Sequence, residues 1–340
     1  MTSNKINISA LISIVLLGIL LFVLNLFVGS VTIPFSDLFG VFFGNKSNST
    51  VTTIVLDYRF PQAVTALFAG AALSVAGLLM QTLFRNPLAD PSMLGISSGA
   101  GLGVAITILL TGVLGGAALS TMGFWSNLGV SLAAFVGATL VLMLILGFSS
   151  RVRNMTTLII IGLMISYLAG SLTDIMKFFS MKEDIHAFVI WGMGSFSAVG
   201  TTKLTFFSIS IAIGLFASLF MSKSLNITLL GDLYAENLGV NVRKNSLFII
   251  LVSGYLTAIV TAYCGPIAFL GLAIPHLTRF IFKTSDHRIL VPAVMLMGMN
   301  VSMLCNLVAR MPGFEGNLPI NAVTAFIGAP IVIWVILRKR

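Results

Sequence analysis

Residues 57–103 read DYRFPQAVTALFAGAALSVAGLLMQTLFRNPLADPSMLGISSGAGLG, and the segment RNPLADP joins two long apolar runs. Pro87 and Pro91 each lack a backbone N–H donor, and each biases the residue before it away from helix. Asn86 and Asp90 are typical of turn and cap positions. The stretch therefore predicts a stiff corner between two helices and not a loose connector.

Small residues crowd both helices next to this corner. On its far side, Gly95, Gly99 and Gly103 recur at every fourth position, a spacing that lets helix backbones approach closely in lipid. The letters GAGLG do not predict a nucleotide-binding fingerprint, because no strand precedes them. We therefore expect these glycines to serve helix packing.

The composition predicts an integral membrane protein. Of 340 residues, 57% are hydrophobic and 9% charged, with a mean hydropathy of +1.06, whereas soluble domains carry roughly 25% charged residues. The apolar runs are continuous and not alternating, which favours helices over a barrel. We expect an all-α protein with about ten transmembrane helices, near residues 8–29, 61–84, 93–111, 123–147, 155–176, 205–221, 246–263, 266–282, 290–309 and 320–337.

The charge distribution predicts the orientation of the chain. An inner N-terminus and ten alternating spans put most of the 19 lysines and arginines on the inner side. The positive-inside rule then predicts that both termini are cytoplasmic, and no nucleic-acid partner is needed to explain the net charge of +9. We expect one transmembrane domain over residues 1–340, with external loops at 30–56 and 178–200.

The longest inner loop, residues 222–245, reads SKSLNITLLGDLYAENLGVNVRKN and predicts a short helix. Asp232 is a candidate N-cap and Gly239 a candidate C-terminal stop. Leucines at positions 229, 230, 233 and 238 would give this helix an apolar side. Such a side either docks a cytosolic partner or packs back against the ends of its own spans.

The chain shows no engine of its own. It contains no G-x-x-x-x-G-K-[ST] motif, so it does not bind ATP through a P-loop. Its three histidines and two cysteines are scattered and predict no metal site. Asp174, with Lys177 one turn later, is the only acidic residue inside an apolar run, which argues against an ion-coupled secondary transporter. A channel, a transporter subunit and a scaffold stay open on these grounds.

Five segments in order resemble a known family. They are the opening stretch, WGMGSFSAVG, GDLYAENLGV, GPIAFLGLAIPHLTRFIF and LPINAVTAFIGAPIVIWVIL. Together they closely resemble the FecCD family of iron-chelate, heme and cobalamin permeases, the transmembrane subunits of type II ABC importers. Only the region before residue 57 matches by hydropathy alone.

The resemblance implies a type II ABC importer permease fold in the bacterial inner membrane, working as a dimer that we expect to be a homodimer within membrane lipid. It implies a cytosolic ABC ATPase dimer that uses ATP, and a substrate-binding protein. This chain would then be no enzyme and would bind no cofactor or metal ion. The expected cargo is an iron complex, a siderophore or heme; the alternatives are cobalamin and, further off, an ion-coupled secondary transporter.

The resemblance also assigns residues to the contact with the ATPase. GDLYAENLGV matches the family's coupling helix, so Gly231, Asp232, Ala235, Leu238 and Gly239 are the expected contact residues. The opening corner would carry motion between the ATPase side and the glycine-lined helix that follows it. Its simpler alternative is a structural corner that fixes how the two helices cross.

On the outer side, the family often carries an R-x-P-R motif whose arginines pair with acids on the binding protein. Here the segment reads RFPQ, so Arg59 matches and Gln62 replaces the second arginine. Arg310 matches a third arginine of that surface. The resemblance therefore implies that Arg59 and Arg310 dock the binding protein, with interfacial anchoring as the alternative for both.

The fifth helix lines the pathway in this family, and the connection before it forms the inner gate. The matching gate residues are Asn154, Met155, Thr156 and Thr157. Farther along the helix, Met164, Tyr167 and Ser171 follow one another at spacings of three and four and so share one helix face. That face is expected to meet the pathway, with ordinary bundle packing as the alternative.

Overall fold

A computed structural model describes residues 8–29, 33–34, 37, 40–41, 49–113, 124–152, 155–311 and 317–338. Regular structure within these ranges is entirely helical. Asn154 and much of the predicted 30–56 loop lie outside the described residues.

The described part of the chain contains fourteen α-helices. In chain order they are α1 Ile8–Phe27, α2 Ser49–Thr53, α3 Phe60–Leu83, α4 Ile96–Val113, α5 Phe124–Ser149, α6 Met155–Phe179, α7 Lys182–Gly192, α8 Gly200–Phe220, α9 Ser222–Thr228, α10 Asp232–Asn237, α11 Val242–Cys264, α12 Leu270–Phe282, α13 His287–Ala309 and α14 Ile320–Arg338. A π-helical segment, Ile54–Arg59, leads into α3, and 3-10 turns lie at Pro91–Leu94 and Phe196–Ala198.

The prediction of a membrane bundle with about ten spans is confirmed. Among the described residues, 7 helices are long and apolar enough to cross a membrane. Three shorter apolar helices, Ile96–Leu109, Leu270–Phe282 and Ile320–Trp334, fall where the remaining spans were predicted. The chain divides into two compact units, Met1–Val75 with Ser195–Ser222 and Ala268–Arg340, and Ala76–Gly194 with Lys223–Ile267.

In the first unit, buried asparagines join α1 to α13. Asn300 donates from Nδ2 to the Ile14 carbonyl at 2.8 Å, and Asn25 donates to the Met303 carbonyl at 3.1 Å. Asn306 donates to Oδ1 of Asn25 at 2.8 Å. Hydrogen bonds of this kind hold helices together in lipid, where water cannot satisfy a buried amide.

The same unit contains a close crossing of α3 and α13 at two glycines. A Cβ atom on Gly70 would lie 2.2 Å from the Gly298 carbonyl oxygen and 2.0 Å from Oγ of Ser302. Ser302 also donates to the Ala66 carbonyl. The two backbones therefore touch, and no side chain larger than hydrogen fits between them.

In the second unit, α4 packs against α5 through the predicted glycines. A Cβ atom on Gly99 would lie 2.6 Å from the Gly137 carbonyl oxygen, and one on Gly103 would lie 2.2 Å from the Ala133 carbonyl oxygen. The interpretation of this stripe as a packing surface is confirmed. Gly101, on the same helix, meets nothing within 4 Å.

We expect Gly70→Ala to lower the free energy of unfolding by about 1–3 kcal/mol, since an added methyl group forces two packed backbones apart. The measurement is the thermal unfolding midpoint of the purified protein in detergent. Gly101→Ala is the matched control and should leave the midpoint unchanged or slightly raised. Equal midpoints for the two variants would contradict the close crossing.

Candidate functional site

Helix α10 is a short helix framed by two glycines. Its N-cap is Gly231 with φ 105°, and Asp232 is the first helical residue; the prediction that Asp232 is the N-cap is therefore wrong by one position. The backbone enters the helix through a conformation that favours glycine, and this N-cap residue has no side chain that could accept a hydrogen bond from the helix. The predicted stop at Gly239 is confirmed, with φ 81°.

The end of α10 is a Schellman motif. The Gly239 amide donates to the Glu236 carbonyl at 2.9 Å, and the Val240 amide donates to the Ala235 carbonyl at 3.0 Å. These two bonds satisfy carbonyl groups that a helix terminus leaves without partners. The six-residue helix thus has a defined end despite its length.

The large apolar side chains of α10 are uncovered. Leu233 is 77% exposed, Tyr234 67% and Leu238 61%. Leu230, just before the helix, is 60% exposed, which favours docking of a partner over packing against the spans. Of the five residues assigned to the ATPase contact, Ala235 is 1% exposed and supports the helix from within.

Arg85 joins the opening corner to α10. Its Nη2 atom donates to Oδ1 of Asp232, and its Nε atom donates to the Thr228 carbonyl at 3.2 Å. Asn245, early in α11, donates to Oγ1 of Thr228 at 2.9 Å. Sequence reasoning did not find this cluster, because nothing local in the sequence links Arg85 to a residue so far along the chain.

The corner itself, residues 85–95, is built as the sequence predicted and is called the proline corner below. Oδ1 of Asn86 accepts from the Leu88 amide at 2.9 Å. Oδ1 of Asp90 accepts from the Ser92 amide at 2.9 Å, so Asp90 caps the 3-10 turn Pro91–Leu94. The turn and cap roles predicted for Asn86 and Asp90 are confirmed.

At its other end the proline corner packs directly on α6. A Cβ atom on Gly162 would lie 2.4 Å from the Met93 carbonyl oxygen and 2.8 Å from Cα of Leu94. One on Gly95, which has φ 77°, would lie 2.9 Å from the Gly162 carbonyl oxygen. The contact is between backbones, so a displacement of one segment acts on the other without a soft side chain between them.

The face of α6 assigned to the pathway is exposed. Met164 is 54% exposed and Tyr167 70%, and Ser171 is exposed as well. Of the gate residues, Met155 is half-buried, whereas Thr156 and Thr157 are exposed. The chain by itself therefore leaves this face uncovered, and its assignment to the pathway stays a prediction.

The two arginines assigned to docking are buried, with Arg59 at 4% and Arg310 at 5% exposure. Nη1 of Arg59 donates to the carbonyls of Leu26 at 2.9 Å and Phe27 at 2.6 Å. These carbonyls end α1, where the helix dipole favours a cation. A Cβ atom on Gly29 would lie 3.0 Å from the Arg59 guanidinium, so the chain packs directly on that group.

Arg310 completes the same arrangement. It donates to the Asn25 carbonyl at 2.9 Å and to the Val28 carbonyl. Its Nη1 atom donates to Oε1 of Gln62 at 3.0 Å. Burial, together with the positive charge of Arg59, lowers the pKa of Arg310 to about 10, so the group stays protonated at neutral pH.

Both arginines line one cavity of about 330 Å³. Among the described residues that line it, Asp57 is the one acidic residue, so positive charge prevails among them. The other residues of the wall are Gly29, Ile54, Tyr58, Pro61, Gln62, Ser197, Gly200 and Asn317.

The profile of the FecCD transport family matches residues 16–338. The chain belongs to the FecCD transport family. Among curated proteins, a vitamin B12 import system permease protein, BtuC, of Klebsiella pneumoniae subsp. pneumoniae is 35% identical over 283 residues, covering 83% of this chain and 82% of that relative. BtuC of Escherichia coli O9:H4 is 32% identical over 286 residues, 84% of each chain.

A solved structure supports the same fold. An inward-facing conformation of a metal-chelate type ABC transporter matches with a TM-score of 0.83 and 28% identity, covering 97% of this chain and 99% of that one. This FecCD protein is thus a permease of a type II ABC importer and a multi-pass inner-membrane protein. Such permeases lack an ATPase site of their own, and their class implies ATPase, substrate-binding and second permease partners.

We expect Arg310→Met in this FecCD permease to lower the free energy of unfolding by about 1.5–3 kcal/mol, since hydrogen bonds from a charged group to buried acceptors are lost. Chemical denaturation in detergent measures the effect. Arg288→Met is the matched control, because Arg288 is exposed on the same helix. A loss as large in the control as at Arg310 would show that the buried hydrogen bonds contribute nothing.

Proposed function

We propose that this chain carries a bulky metal chelate through a dimeric pathway, driven by ATPase subunits that dock on α10. The observation that carries the proposal is the uncovered apolar surface of α10, held by Gly231 and the Schellman motif at Gly239. A helix that exposes Leu233 and Leu238 to water is costly unless a partner covers it. The chain itself needs no bound cofactor in this scheme, because the partner subunits use the ATP.

The arginine cavity supports docking of a substrate-binding protein on the outer side. Arg59 and Arg310 present two positive charges in one cavity, and Asp57 is the single acidic residue among the described residues of its wall. A carboxylate of the binding protein suits such a site. Because Gln62 stands where the family often has arginine, we propose a contact with one charge fewer. With this cavity on the outer side, the proposed orientation places both termini in the cytoplasm, in agreement with the distribution of lysine and arginine.

The first candidate cargo is an iron complex, either a siderophore or heme. A permease must release what it carries, so its wall should hold a solute weakly. The exposed face with Met164, Tyr167 and Ser171 offers apolar and hydroxyl groups and no charge, as weak holding of a bulky solute requires. We propose the same role for the gate residues Met155, Thr156 and Thr157.

Cobalamin is the second candidate, and a specific observation favours it. The two curated relatives above, at 35% and 32% identity, are vitamin B12 import permeases. The matching solved structure is of metal-chelate type, which fits either cargo. The class of bulky metal chelate is therefore common to both candidates.

We expect ATP-dependent accumulation of one chelate in proteoliposomes that hold this chain, its ATPase and its binding protein. Heme, a ferric siderophore and cyanocobalamin are supplied in parallel, and retained metal or cobalamin is measured. Omitting ATP or the ATPase should abolish accumulation, because the permease has no ATPase site of its own. Equal accumulation without the ATPase would contradict the proposal and indicate a secondary transporter.

We expect Leu233→Asp to weaken binding of the ATPase to the purified permease by at least about tenfold, because burial of one leucine contributes about 1.5–3 kcal/mol. Binding is measured by biolayer interferometry in nanodiscs. Asn237→Asp places the same charge on the same helix at an exposed polar position and serves as the control. Unchanged affinity for Leu233→Asp would remove α10 from the contact.

A further inference from the structure

We propose that the proline corner, residues 85–95, transmits movement of α10 to α6, with Arg85 as a positioning residue at one end and the backbone contact of Leu94 with Gly162 at the other. The inference rests on the proposed docking of the ATPase on α10. It goes beyond that docking because it names the segment that carries the motion onward and the helix that receives it.

The first step is the grip of Arg85 on α10. Its guanidinium donates to Oδ1 of Asp232, the first residue of the helix, and to the carbonyl of Thr228, which precedes the helix. The two charged side chains are 40% and 57% exposed, and pairs this exposed contribute little to stability. A contribution to folding therefore does not account for the pair, whereas a mechanical link between two segments does.

The backbone conformation of Arg85 supports the same role for this residue. Its φ of 47° lies in the left-handed region, which residues with a Cβ atom rarely adopt. At the end of a helix, a residue in this conformation is usually glycine. Glycine at this position would relieve the backbone but lose both hydrogen bonds to α10. The chain thus keeps an unfavourable backbone conformation at the residue whose side chain makes the link.

The second step is the stiffness of the proline corner. Pro87 and Pro91 restrict the backbone, and the Ala89 amide donates to the Asn86 carbonyl at 3.1 Å. The Met93 amide donates to the Asp90 carbonyl at 3.1 Å. A segment with these internal hydrogen bonds moves as a rigid unit and transmits a displacement without bending.

The third step is delivery to α6. Met93 and Leu94 touch Gly162 where no side chain fits between the backbones. Tyr167 lies little more than one turn beyond Gly162 on the same helix. A tilt imposed on α6 at Gly162 therefore moves the exposed face that carries Met164 and Tyr167.

The test follows α6 directly and needs no cargo. The complete complex, with ATPase and binding protein, is placed in nanodiscs with Tyr167→Cys as a reporter. A water-soluble fluorescent maleimide is the probe, and its labelling rate is measured with and without ATP. The native cysteines Cys264 and Cys305 are 2% and 0% exposed, so their background is low. ATPase binding and ATP hydrolysis are measured on the same samples.

In the reporter background, ATP should change the labelling rate. With Arg85→Gln added, ATPase binding and hydrolysis should persist while the change in labelling falls by at least about fivefold, the lower range of measured couplings. Arg85→Lys keeps a charged donor opposite Asp232 and should retain most of the response. Glu236→Gln removes the other acidic residue of α10 and is the matched control, expected to respond as the parent does.

Three outcomes overturn the inference. The first is a full ATP response in Arg85→Gln, and the second is a parent complex that hydrolyses ATP without any change in labelling. Failure of the ATPase to bind the parent permease would instead overturn the proposed function. The third is loss of ATPase binding in Arg85→Gln with no rescue by Arg85→Lys, which would make Arg85 part of the docking surface and not a link.

Discussion

Helices within a bilayer gain little by burying apolar side chains against each other, because the lipid tails are equally apolar. This bundle depends instead on direct contact between backbones and on hydrogen bonds to carbonyl groups. Gly70 against Gly298 shows the first kind of contact, and Asn300 on the Ile14 carbonyl shows the second. Within each unit, the helix ends that carry the candidate sites are placed by such contacts.

The arginine cavity shows how one group can serve both structure and binding. Arg59 and Arg310 donate to the last carbonyls of α1 and so satisfy acceptors that the helix end leaves open. The same guanidinium groups line the cavity proposed for docking. Side chains that are already fixed lose little freedom when a partner carboxylate arrives. If the proposed docking holds, a substitution at either arginine affects stability and docking together, and the two effects must be measured separately.

The division of labour in an importer explains what this chain contains and what it leaves to others. A short helix with defined ends offers leucine and tyrosine side chains to a partner, while the exposed face of α6 offers uncharged groups. In the proposed scheme, energy enters at α10 and is used at the exposed face of α6. Between them in the second unit lie a stiff corner, a charged side chain and a backbone contact at Gly162.

Much of the bundle and of α10 could be predicted from local patterns. Each span must satisfy its own backbone in lipid, so hydropathy alone predicted the ten-helix class. Turn chemistry predicted the roles of Asn86, Asp90 and Gly239. The N-cap was misplaced because Gly231 and Asp232 are both suited to the start of a helix, and the backbone conformation decided between them.

The sequence by itself determined the membrane class, the approximate number of spans, the family and the outline of α10, because hydropathy, turn chemistry and motif order are properties of short segments. Only the tertiary structure decided that Arg85 reaches Asp232 and that Gly162 touches the proline corner. It also decided that Arg59 and Arg310 are buried on the carbonyls of α1. Those contacts join segments far apart in the chain, and their partners are selected by how helices pack and not by any local pattern.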